Sequence, residues 1–525
     1  MNMKSTKWLA AGVAALCVSA SACGNLTEQP QSQVTSANIF SDPNSYRSFL
    51  AKLYAGLAVT GQQGGAGNPD ISGIDEGFSQ YVRGLWQLQE LPTDEAVIGW
   101  GDTGLPELNT QKWSASNAFT TAMYARIFYQ VALANEFLRQ TTDAQLNSRG
   151  TAANVKTLVQ GYRAEARFLR ALSYYHAVDL YGNVPIVDEN FPLSGLPAQS
   201  SRAAVTAFVE SELKAVLPLL PATSTGDYYG RASQAAANMV LAHLYLNDKI
   251  WSGTDRTADA LAAASAVIGA PGLTLDANSR RAFSADNQTS AEVVFSVPFD
   301  GIRTRTYGGT TYLVHAEVGD NMNPSLVGVD GGWYGLRLRP EAVNRYTAGD
   351  RRAAIIDSTG RSKVISDLTA SAQGFGLYKY SNVSTAGVRG SDLTFPDTDY
   401  PMFRLADAYL IYAEAVLRGG GGSRATALQY VNALRTRAYG SAAGNITDAQ
   451  LTLSFILDER GRELLWEGNR RQDLIRFGEF TGGTYLWNFK GGVQAGKATE
   501  AFRDVYPIPS NELSANPTLK QNTGY

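Results

Sequence analysis

The chain has 525 residues, 45 Lys and Arg against 48 Asp and Glu, a formal net charge of -3, and 10% aromatic residues. Basic residues are interspersed with acids instead of forming a stripe, which excludes a protein that tracks a phosphate backbone. The three histidines, His176, His243 and His315, are isolated, and no HExxH, His/Cys cluster, phosphate loop or GxSxG elbow accompanies them, so the sequence carries no motif for a metal, a cofactor or a nucleophilic triad.

The amino terminus reads as a secretory signal peptide over residues 1–22: Lys4 and Lys7, an apolar run from Trp8 to Val18, then Ala20-Ser21-Ala22. That run of 11 residues falls short of the ~20 needed to cross a bilayer. Cys23 follows directly, as in a bacterial lipobox, and Ala20 stands where Leu is usual. The only other cysteine, Cys17, lies in the segment that cleavage would remove. Cys23 is therefore predicted to be lipidated, and no disulfide is available to the mature chain, residues 23–525. Loss of Lys4 and Lys7 leaves 43 basic residues against 48 acidic, a balance of -5.

Helical periodicity predicts nine helices. They run over Ser45–Leu57, Phe119–Leu138, Val155 to about Gly182, Ala203–Leu217, Ser233–Leu246, Ala258–Ala270, Phe403–Leu417, Arg424–Arg437 and Leu453–Phe477. Pairs of about 34 residues, with Ala at packing positions and Tyr, Leu and Phe as knobs, predict a mostly α tetratricopeptide-like scaffold in which each pair buries its apolar face against a neighbour. Two long stretches, near 60–117 and 273–400, show no sustained period of 3.6. They hold Trp86, Trp100, Trp113, Trp333 and Tyr334, and aromatics at this density predict ordered loops that carry the site. Trp86, between Leu85 and Leu88, is predicted to be core.

On the predicted Leu453–Phe477 helix, Glu463 and Glu467 are four apart, the spacing of a retaining glycosidase pair. The same helix offers Asp458 to Arg462, Arg460 to Glu463 and Glu467 to Arg471 as ion pairs, which would hold these carboxylates ionised and unfit as general acids. The sequence predicts a structural network and no enzyme. A cell-surface glycoside hydrolase using Glu463 and Glu467, or Asp94 and Glu95, is the rival.

Three segments together resemble the SusD/RagB family: EARFLRALSYYHAVDLYGNVP (Glu165 to Pro185), ILDERGRELLWEGNRRQDLIRFGEF (Ile456 to Phe480) and YPIPSNELSANPTLKQNTGY (Tyr506 to Tyr525). The resemblance implies four helix pairs and a surface-exposed lipoprotein of the outer membrane. Such a protein captures poly- or oligosaccharide and hands it to a SusC-like TonB-dependent transporter. For the starch-binding type it implies an arc of two Trp and a Tyr with an Asp and an Arg. In this sequence these correspond to Asp75, Arg83, Trp100, Trp333 and either Tyr307 or Tyr312, with Tyr334 adjacent; Thr103 stands where the type has Asn. Flat rings cover the C–H faces of sugars while polar groups bind hydroxyls. Starch-like α-glucan is the expected ligand, and capture of peptides, as in some relatives, is the second rival.

Overall fold

Amphipathic spacing, capping and loop chemistry produce the helices largely where periodicity placed them. The computed structural model describes residues 40, 42–61, 65 and 69–525, so the signal peptide and Cys23 lie outside the described residues. Residues 46–525 form one unit and residues 1–45 another. The principal helices are α1 (Asn44–Ala58), α2 (Tyr81–Glu90), α3 (Ala118–Gln140), α4 (Ala153–Leu180), α5 (Arg202–Val216), α6 (Gln234–Trp251), α7 (Thr257–Ile268), α8 (Gly309–Ala316), α9 (Leu405–Leu417), α10 (Arg424–Tyr439), α11 (Leu453–Glu463) and α12 (Arg470–Arg476). Asn117, Ser201, Ser233 and Ser423 cap α3, α5, α6 and α10 through side-chain oxygens, each satisfying donors the helix cannot. Neighbours in sequence pack as neighbours in space, α3 on α4, α4 on α5, α6 on α7 and α9 on α10, and α7 packs on α9 across the long intervening stretch. The fold is mostly α, a scaffold of stacked helix pairs.

Among the described residues, six short strands form three two-stranded antiparallel ladders: β1 (Ala96–Ile98) with β3 (Leu336–Leu338), β2 (Val293–Val297) with β6 (Tyr400–Arg404), and β4 (Ile356–Asp357) with β5 (Gly376–Leu377). The 60–117 stretch also contains α2, which periodicity missed. Arg83, Gln87 and Glu90 do share one face of it, but ten residues are too few for the 3.6 period to be sustained, and nine of the ten are buried, the polar face included.

The predicted Leu453–Phe477 helix is two helices. Trp466 takes φ +70 in the break, a conformation that ends a right-handed helix. The break is fixed by its surroundings: Trp466 N–H donates to Glu95, Gly468 N–H to Glu90, and the Trp86 indole N–H to the Trp466 carbonyl. The predicted ion pairs are not the ones that form: a local i,i+3 pair is made, and other partners come from elsewhere in the chain. Arg462 pairs with Glu459, Arg460 bridges Asp407 and Asp473, and Glu467 binds Arg404 and Lys379. Glu463 accepts from Arg352, Arg404 and Arg437 at 2.9, 2.8 and 2.6 Å. The same guanidiniums hold its carboxyl below the usual range against the opposing effect of burial.

Candidate functional site

The β1–β3 ladder brings the two long loops together. Ile98 lies opposite Leu336, and one step beyond the strands Gly99 N–H donates to the Gly335 carbonyl at 3.0 Å. Trp100 follows on one side of this ladder and Trp333 precedes it on the other. The segment carrying Trp333 runs along the end of α8: Trp333, Tyr334 and Gly335 donate backbone N–H groups to the carbonyls of His315, Val318 and Ala316. The ring of Trp100 lies on Gly335, where a Cβ would come within 2.5 Å of the indole, so only glycine leaves room for it.

Three half-buried or exposed rings result. Trp100 and Trp333 have ring centroids 6.4 Å apart at 42°, and the Trp100 indole N–H donates to the Trp333 carbonyl at 3.1 Å. Tyr307, 37% exposed, lies 6.1 Å from Trp333 at 57°. Arg83 is the third residue of α2, in its first turn. Its backbone N–H is bonded by the cap residue Gln80, and its Nη1 donates to the Tyr307 carbonyl at 3.1 Å. Burial lowers its pKa from the usual arginine range, against the pull of Tyr312, Asp75 and Asp102. Asp75 is exposed and uses one oxygen to accept from Gly77 and Phe78 N–H groups, the other having no hydrogen-bond partner among the described residues. Rings plus an acid–base pair therefore share one surface, an arrangement suited to a ligand with apolar faces and hydroxyl edges.

Of the expected residues, Asp75, Arg83, Trp100, Trp333 and Tyr307 are brought together. Tyr312 is not a surface ring. It is fully buried beneath the Arg83 guanidinium at 4.4 Å and packs against Trp86 and Trp100, because α8 turns it into the core. Its hydroxyl is bonded by Gln87. Tyr334 is 49% exposed at φ +58, which sends its side chain out of line with its neighbours.

Sequence reading missed three contributors. Asp102, two residues past Trp100, is exposed and close enough to Arg83 to act on its charge, whereas attention to Thr103 overlooked it. His315 is buried and stacks on the hidden face of Trp333 at 4.8 Å and 16°, with its ring nitrogens 2.6 and 2.8 Å from the carbonyls of Gly331 and Thr394. Phe395 supports Tyr307 at 5.5 Å. No local pattern marks a residue whose role is to back another ring.

The carboxylates considered for hydrolysis are elsewhere. Asp94 bonds to Arg345, Arg470 and Tyr485, and Glu95 to Arg345 and the Trp466 N–H. Asp94, Glu95, Glu463 and Glu467 are all buried.

Two family models match: one described as "SusD family" over residues 358–525, the other as "Starch-binding associating with outer membrane" over residues 85–246. The chain is 34% identical to the starch-binding protein SusD of Bacteroides thetaiotaomicron over 544 aligned positions, 92% of this chain and 94% of that one. The chain belongs to the SusD family. It is also 28% identical to the SusD-like protein P25 of Formosa agariphila over 69% of this chain and 73% of that one. Among solved structures, surface glycan-binding protein A from Bacteroides thetaiotaomicron in complex with laminarihexaose superposes with a TM-score of 0.69 at 21% identity, covering 91% of this chain and 98% of that one. A laminarin-binding SusD-like protein gives a TM-score of 0.70 at 22% identity, covering 92% and 99%. These structures share the SusD fold.

Proposed function

We propose that this SusD-family chain captures poly- or oligosaccharide at the outer membrane, with Trp100, Trp333 and Tyr307 as the stacking surface and Asp75, Arg83 and Asp102 as hydroxyl partners. The observation that carries this reading is the row of three rings beside the Arg83 guanidinium. Starch-like α-glucan is the specific ligand, supported by the kinship with a protein named for starch binding. A few stacking contacts of ~0.5–1.5 kcal/mol each favour micromolar to millimolar capture and ready release. Lipidation at Cys23 anchors the protein, and the captured glycan passes to a SusC-like TonB-dependent transporter. No catalytic step belongs to this role: the buried, arginine-bound carboxylates lack the open geometry of a general acid.

Isothermal titration of the lipid-free protein with maltoheptaose and with laminarihexaose tests the ligand. Saturable binding of maltoheptaose that Trp100→Ala and Trp333→Ala weaken is the expected result. Binding of laminarihexaose alone overturns the α-glucan assignment while leaving capture intact, and binding of neither overturns both. Release of shorter sugars during the titration would favour the hydrolase. Cys23→Ala is expected to move the protein from the membrane to the soluble fraction, and copurification of the transporter with the tagged wild type tests delivery.

A further inference from the structure

Folding gathers arginines that the sequence scatters. A cavity of about 340 Å³ opens among residues 277–283, the 346–355 segment, Lys379, Arg404, the end of α10 and residues 462–465. It shares no lining residue with the aromatic row. Its wall carries seven cationic side chains and one carboxylate, Glu463. That carboxylate is already taken up by Arg352, Arg404 and Arg437. The other carboxylates bonded to wall cations are Glu292, Asp350, Glu459 and Glu467, and none of them lines the cavity. Five ion-paired acids thus face seven wall cations, with one acid, Glu459, shared with Arg435 outside the wall, while Glu317 acts on Arg280 and Lys379 without an ion pair. Arg280 and Arg351 account for the excess: both are exposed, and among the described residues neither side chain makes a hydrogen bond or ion pair.

We propose that this cavity is a second binding site, for a small oxyanion: a carboxylate, sulfate or phosphate group, free or carried on a single sugar unit. Arg280 and Arg351 are its ligating side chains. A guanidinium presents a planar fork of donors that matches such groups. The buried arginines behind are locked by their carboxylate partners, so they contribute a fixed field and need no rearrangement on binding. Phe283 and Tyr346 add apolar surface to the wall, and the volume lies in the range of small-molecule sites. Neutral sugars gain nothing from this wall, which separates the site chemically from the aromatic row.

The test is isothermal titration at low ionic strength with sodium glucuronate, with inorganic phosphate and with glucose, on the parent, on an Arg280→Ala/Arg351→Ala double variant and on Trp333→Ala. Glucuronate and phosphate are expected to saturate the parent, more weakly as salt is raised, and glucose is not. The double variant should bind about tenfold or more weakly, as loss of charge-assisted hydrogen bonds implies, with its melting temperature within a few degrees of the parent because among the described residues neither side chain makes a hydrogen bond or ion pair, Arg280 acting on Glu317 only at a distance. Trp333→Ala should bind both anions as the parent does. Tighter glucuronate than phosphate identifies a sugar-borne group, and the reverse a free anion. Should the double variant fail to fold, Arg280→Gln and Arg351→Gln carry the same comparison singly. The proposal falls if neither anion saturates the parent or if removing the two arginines leaves affinity intact.

Discussion

Trp86 and Trp466 meet edge to face with ring centroids 5.1 Å apart, and the Trp86 indole N–H donates to the Trp466 carbonyl at 2.9 Å across 380 residues of sequence. Both side chains are fully buried. Trp86→Ala leaves a cavity and strips the Trp466 carbonyl of its shorter bond, leaving the Tyr380 hydroxyl at 3.4 Å, and is expected to cost ~3–5 kcal/mol, read from chemical denaturation. Stability within ~1 kcal/mol of the parent would contradict this packing.

The site can be disturbed without deleting a ring. A Cβ at Gly335 would come within 2.5 Å of the Trp100 indole, so Gly335→Ala should displace Trp100 and weaken maltoheptaose binding by about as much as Trp100→Ala, up to roughly tenfold. Paired titrations of the two variants check this. Tyr312→Phe is the control: its ring is buried, so glycan affinity should stay at the parent value and only the 3.3 Å bond from Gln87 is lost.

Glu463 compensates three arginines inside the protein. Glu463→Gln leaves them short of a counter-charge in a buried layer and is expected to destabilise by ~3–5 kcal/mol. Glycan affinity of whatever fraction remains folded should match the parent. Loss of affinity without loss of melting temperature would instead assign Glu463 to ligand contact.

Asp399 gives a pH dependence with a definite sign. Its oxygens accept from the Phe299 N–H at 2.7 Å and the Tyr229 hydroxyl at 2.5 Å, and burial raises its carboxyl to about 7. A folded-state pKa above the unfolded value means that its stabilising contribution is complete below ~4 and is lost as pH rises through about 7. Asp399→Asn keeps an acceptor for Phe299 and cannot ionise. The melting temperature of the parent minus that of the variant should therefore fall between pH 5 and pH 8. A flat difference over that window would refute the assignment.

Long amphipathic helices were legible in the sequence because each shows one apolar stripe to the core. The exceptions have a common cause. Residues 81–90 carry their pattern over only ten residues, too short to stand out, and tertiary partners bury even the face that holds Arg83, Gln87 and Glu90. The Leu453–Phe477 pattern continued through a break that Glu90, Glu95 and Trp86 impose from 370 or more residues away. Arginine and glutamate at helical spacing suggested i,i+4 pairs, yet the partners of Glu463 and Glu467 come from Arg352, Lys379, Arg404 and Arg437. Trp100 and Trp333 stand out as aromatics in long loops, whereas Asp75 and Arg83 are indicated only by what the resemblance to the starch-binding type implies. Tyr307 and Tyr312 could not be separated before the backbone showed which one α8 turns inward.

The strand pairing of Ala96–Ile98 with Leu336–Leu338 reaches to within two residues of Trp100 and three of Trp333. Rings tethered so closely to a hydrogen-bonded ladder have little freedom left to lose, so the entropy of binding falls on the sugar chain. Ligand stiffness then becomes a route to affinity. A cyclic α-glucan should bind more tightly than a linear one with the same number of glucose units, and the advantage should appear as a less unfavourable binding entropy.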